Sequence, residues 1–189
     1  MTAMNRGFRI TFGGWMLLSL LCFFLDYPSL LVLLGNVYVH EMGHLWMLRR
    51  MGVYVREIAL SGTGLCIVCN TAMLSSVRLF LCAMAGPLFG LVSAVIVSAA
   101  ANLGDNDFLR LFAGAGVILS VFNLMPVAPL DGYRMLRATA PRLAPYVCTI
   151  TALLMLAVGL WLMVVGYGTS FAFLGLFLVV RDIFHVRFA

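Results

Sequence analysis

LLVLLGNVYVHEMGHLWMLRRM, residues Leu30 to Met51, is an apolar run that carries three ionisable groups, His40, Glu41 and His44, and closes on Arg49 and Arg50. A helix rises 1.5 Å per residue, so a run of this length reaches across the ~30 Å hydrocarbon core of a bilayer. On such a helix residues four apart share a face. The two imidazoles therefore converge on one Zn2+, and Glu41 stands beside them to handle a water.

The rest of the chain agrees with a bilayer as its solvent. Of its 189 residues 63% are hydrophobic and 10% charged, and the mean hydropathy is +1.08. So few charges cannot cover a water-facing globule of this size. Further apolar runs cover Phe12 to Leu25, Leu79 to Ala101, Phe108 to Met125, Pro145 to Val165 and Ser170 to Phe184. Gly166-Tyr167-Gly168-Thr169 supplies the turn that divides the last two. The expected fold is an all-α integral membrane protein of about six transmembrane helices, with a small β-hairpin between the second and third.

The charges give this count an independent check. All 12 basic residues are Arg, scattered in ones and twos. With six spans and both termini on one side, Arg6, Arg9, Arg49, Arg50, Arg56, Arg78, Arg134, Arg137, Arg142, Arg181 and Arg187 share that side, and Arg110 lies opposite with Asp26, Asp105 and Asp107. The positive-inside bias makes the first side cytoplasmic. The expected location is the cell membrane, multi-pass, with cytoplasmic termini. The Arg residues read as topology markers, so no nucleic-acid partner is expected.

Gly52 to Asn70 differs from the spans, because Ser61-Gly62-Thr63-Gly64 interrupts Val53, Val55, Ile58, Leu60, Leu65, Ile67 and Val68. That is the pattern of a hairpin. Cys22, Cys66, Cys69, Cys82 and Cys148 form an odd set inside apolar stretches and give no disulfide framework. Cys66 and Cys69 make a lone C-x-x-C, with no second pair to complete a metal or redox motif. Arg6 and Arg9 before an apolar run resemble a signal peptide, but no small-residue cleavage site follows, so the run reads as a retained span. The chain is expected to be a single polytopic membrane domain over 1–189, with a catalytic core at about 30–137 and a C-terminal helical hairpin at about 145–184.

His40-Glu41-Met42-Gly43-His44 is a specific signal in this composition. With 3 His in the chain, and Glu only at positions 41 and 57, chance produces H-E-x-x-H on the order of once in a thousand such sequences. The alternative is a set of buried polar residues binding helices together. Each charge in a membrane costs ~2.5–3.5 kcal/mol even on insertion scales, and a cation is the compensating partner that three adjacent ionisable groups need. A catalytic zinc takes three protein ligands. Asp131 is the candidate third, in Asn123-Leu124-Met125-Pro126-Val127-Ala128-Pro129-Leu130-Asp131-Gly132, on the same expected membrane side as the histidines. Pro126 and Pro129 remove backbone donors and end the fourth helix. His185, in an interfacial C-terminal segment, is the weaker candidate. Read alone, Asp131-Gly132 is equally a surface turn or the cap of a helix over Tyr133-Arg134-Met135-Leu136-Arg137.

His40-Glu41-x-x-His44 followed by Asn123-x-x-Pro126-x-x-Pro129-Leu130-Asp131-Gly132 resembles the site-2 protease family of intramembrane zinc metalloproteases. The resemblance covers about 36–137, includes Ala85-Gly86-Pro87, and points to the compact bacterial or archaeal members. It implies a zinc-dependent endopeptidase with one Zn2+ per chain on His40, His44 and Asp131, Glu41 as general base, and Asn123 stabilising the oxyanion. It also implies transmembrane protein or peptide substrates, presented as an added strand to the hairpin at 53–70 and cut near the cytoplasmic face. Gly90 departs from the Asn common there in the family. No peptide-binding or nucleotide-binding regulatory region is recognisable, so substrate selection is expected to rest on the membrane core. The alternatives are a catalytically inactive membrane-embedded binding protein, a membrane oxygenase with two irons, for which three histidines are too few, or another zinc hydrolase such as the prenyl-protein proteases. The last take a Glu from a later helix, and the second Glu here, Glu57, precedes the proline-broken element.

Overall fold

Asp26 opens the helix that carries the H-E-x-x-H motif. Its carboxylate accepts a hydrogen bond from the Ser29 N–H at 3.4 Å, and bonding to Ser29 holds the Asp26 carboxyl below its ordinary range. Pro28 lies in the first turn, where its missing N–H removes no helical bond. The helix thus begins three residues before the apolar run and spans Tyr27–Arg50. In a computed structural model, residues 7–62, 64–70, 74–166 and 169–188 are described. Parts of the turns expected at 61–64 and 166–169 lie outside them. The elements run β1 (Gly7–Ile10), α1 (Phe12–Phe24), α2 (Tyr27–Arg50), β2 (Val55–Ser61), β3 (Gly64–Cys69), α3 (Ser76–Gly104), α4 (Asp107–Asn123), α5 (Asp131–Thr139), α6 (Ala144–Val165) and α7 (Ser170–Phe188). They fall into two compact units, Met1–Phe122 and Asn123–Ala189.

In the first unit β2 and β3 form the expected antiparallel hairpin, with Ile58 opposite Ile67 and Leu60 opposite Leu65. β1 adds a third strand, parallel to β2, which an alternation as short as Phe8-Arg9-Ile10 does not announce. Thr11 fixes that junction. Its backbone N–H and its hydroxyl both donate to the Leu60 carbonyl, at 2.9 Å and 3.0 Å, while its Oγ1 caps α1 by accepting from Gly14. A Cβ at Gly14 would collide with the Leu60 carbonyl oxygen, so α1 lies against β2 through glycine. Between α3 and α4, Arg110 pairs with Asp105 and Asp107.

Among the described residues two helices, α3 and α6, are long and apolar enough to cross a membrane, and only 17% of the most apolar stretch of α6 is buried. Their bare apolar side chains, such as Leu103, Trp161 and Val164, suit lipid. α2 is diluted by Asn36, the motif and its terminal arginines, and α4 has 17 residues. In the second unit α6 and α7 pack closely: a Cβ at Gly159 would stand 2.6 Å from the Ala172 nitrogen, and one at Gly175 2.6 Å from the Leu156 Cα. Small residues let the two backbones approach.

Candidate metal centre

Asn36, His40 and His44 recur every four residues of α2, so they share one face, and all three are buried. The Asn36 amide donates to the Val32 carbonyl at 2.9 Å and to the Phe112 carbonyl at 3.1 Å, tying α2 to α4 one turn before the motif. Gly43 sits against α3, where a Cβ would stand 2.5 Å from the Ala85 carbonyl oxygen. This contact brings the backbones of α2 and α3 together beside the imidazoles.

His44 Nδ1 lies 2.8 Å from the Cys82 carbonyl oxygen. A carbonyl only accepts, so Nδ1 carries the proton and Nε2 presents its lone pair. Nε2 faces His40 Nε2 at 3.2 Å, with the rings edge-on at 4.9 Å. Two nitrogens bound to a tetrahedral zinc at ~2.0–2.1 Å are about 3.3–3.4 Å apart. The observed spacing therefore fits two ligands of one zinc ion, and the Cys82 carbonyl is the outer partner that orients such ligands. Glu41 is partly exposed where the histidines are buried.

In the second unit α4 ends at Asn123, which is half-buried, and the chain stays non-helical until α5. Val127 is 0% exposed. Its backbone donors are met within the segment and by α6: Val127 donates to Met125 and Leu130 to Val127, each at 2.8 Å, and Ala128 to the Cys148 Sγ at 3.3 Å. The Ala128–Pro129 peptide is cis. Asp131 is the first residue of α5 and is 4% exposed, so it is not a surface turn. A carboxylate is favoured at a helix N-terminus, and Arg134 holds its Oδ1 at 3.3 Å. Beside it a Cβ at Gly132 would collide with the Leu124 carbonyl oxygen and stand 2.6 Å from that of Met125. Gly132→Ala should consequently destabilise the protein by about 1–3 kcal/mol, read as a lower melting temperature in detergent; an unchanged melt contradicts this packing.

Among the described residues, His40, His44 and Asp131 are buried side chains with the donor types to hold a metal ion, two imidazole nitrogens and a carboxylate oxygen. That donor set suits zinc. The His185 side chain lies outside what is described. Asn36 and the Cys82 carbonyl escape a motif-based reading, although the four-residue spacing of Asn36 from His40 is visible in the sequence.

No protein-family model matches the chain. It is 29% identical to the zinc metalloprotease MJ0392 of Methanocaldococcus jannaschii over 57% of its own length and 33% of that protein. It is 30% identical to Rip3 of Mycobacterium tuberculosis, whose name describes a zinc metalloprotease, over 78% of its own length and 43% of that protein. The chain thus spans less than half the length of these curated relatives. In structure it resembles the site-2 protease from Methanocaldococcus jannaschii, with a TM-score of 0.69 at 17% identity, covering 96% of this chain and 91% of that one. The chain thus has the fold of a site-2 protease, and the two relatives it matches in sequence are named zinc metalloproteases.

Proposed function

We propose that this protein is a zinc-dependent endopeptidase that hydrolyses peptide bonds within or near transmembrane segments of other membrane proteins, close to the cytoplasmic face. The observation that carries the reading is the His40–His44 pair, two buried nitrogens at ligand spacing with one tautomer fixed by Cys82. In this reading His40, His44 and Asp131 would hold one zinc, which would supply Lewis acidity, lowering the pKa of water towards neutrality and polarising a carbonyl. Glu41, more accessible than the histidines, takes the proton of the attacking water and passes it to the leaving amine. Asn123 donates to the developing oxyanion. The hairpin of β2 and β3 presents the substrate as an added strand. A helical substrate must unwind there first, so helix-weakening residues favour cleavage. The test is a proteomic comparison of membranes holding wild-type or Glu41→Gln protein: single-span proteins should lose a cytoplasmic fragment in the wild type alone, and identical membranes would favour a binding protein without activity.

The proposed topology has six spans, α1 to α4, α6 and α7, with both termini cytoplasmic and 11 of the 12 Arg on that side. Tags at either end should report the cytoplasm in protease-protection or reporter-fusion assays. An extracytoplasmic tag overturns the six-span topology.

A further inference from the structure

The third helix meets the His44 ring on two successive turns. Cys82 accepts the Nδ1–H through its carbonyl, and Gly86, four residues on, lies against the opposite edge of the ring. A Cβ at Gly86 would collide with Nε2 and stand 2.6 Å from Cε1 and 2.7 Å from Cδ2. We propose that Gly86 is a positioning residue of the metal centre: its missing side chain is the space in which the His44 imidazole stands, and with Cys82 it fixes where Nε2 points. This role rests on the zinc reading above.

A methyl group at Gly86 meets the ring before any other atom, so the ring is what must give. Ordinary carbon contacts need about 3.5–4.0 Å, so the ring would have to retreat by roughly an ångström. α2 and α3 already touch one residue earlier at Gly43 and Ala85. Rotating the ring instead gives up the Cys82 bond and turns Nε2 away from His40. Metal–ligand distances tolerate only about ±0.2 Å, so either adjustment takes His44 out of the ligand set. Gly90, one turn further along α3, provides a matched comparison, because a Cβ there would collide with the Ser120 hydroxyl and not with an imidazole.

Two measurements on purified protein test this. In chelator competition Gly86→Ala should weaken zinc binding by ~10–100-fold, as loss of an outer-sphere support does, while Gly90→Ala leaves zinc affinity unchanged. In metal-free protein the fall in melting temperature caused by Gly86→Ala should largely vanish when His44→Ala is also present, since the methyl then enters the space of the ring. If Gly86→Ala alone does not fold, a folded double variant supports the role and an unfolded one overturns it. Equal melting losses with and without the imidazole also overturn it. A wild type that binds no zinc removes the zinc reading and this role together, whereas tight zinc binding by both wild type and Gly86→Ala removes only the role of Gly86.

Discussion

Glu41→Gln should leave about one zinc bound per chain and slow cleavage of a transmembrane substrate by at least ~100-fold. The side chain keeps its size and place on α2 but can no longer accept the proton of the attacking water. Glu41 sits between two residues whose nitrogens already point at each other, and it is the least buried of the three. In the proposed mechanism it works on water and does not ligate. Metal analysis beside an activity assay separates the two roles. Loss of zinc in Glu41→Gln would show that Glu41 is a ligand, and full activity would show that it is not the base.

Asp131→Ala should act on the metal itself, lowering bound zinc well below one per chain and abolishing cleavage, because two imidazoles alone do not complete a catalytic site. The carboxylate is buried at the start of α5, with Arg134 3.3 Å from its Oδ1. Removing it leaves Arg134 exposed to solvent, so the protein should still fold. A folded Asp131→Ala protein with full zinc and normal proteolysis would place the third ligand elsewhere. His185→Ala should leave both quantities nearly unchanged.

Much of this architecture is legible because it depends on periodicity and on backbone chemistry. Four-residue spacing brings His40 and His44 to one face, alternation about Ser61-Gly62 marks the hairpin, and Pro126 and Pro129 end α4 where their missing donors require. What escapes depends on partners distant in sequence. β1 is four residues long and becomes a strand only because β2 offers its edge. The atom that fixes the His44 tautomer is the carbonyl of Cys82, and any residue type at 82 would provide one. Gly86 is marked in the sequence by the resemblance that includes Ala85-Gly86-Pro87, but the imidazole that stands against it is not. The sequence leaves α5 open because Asp131-Gly132 suits a surface turn as well as the cap of a helix over 133–137; the helix instead begins at Asp131 itself, which is buried.

The most direct test of zinc-dependent intramembrane proteolysis is a reconstituted assay, with purified protein and a single-span substrate in liposomes and zinc counted on the same sample. One zinc per chain and cleavage in or beside the substrate's transmembrane segment are expected. Activity should be lost on chelation and regained when zinc is returned. Cleavage that persists in protein stripped of zinc, or a zinc-loaded wild type that cuts none of a panel of helix-destabilised substrates, would contradict it.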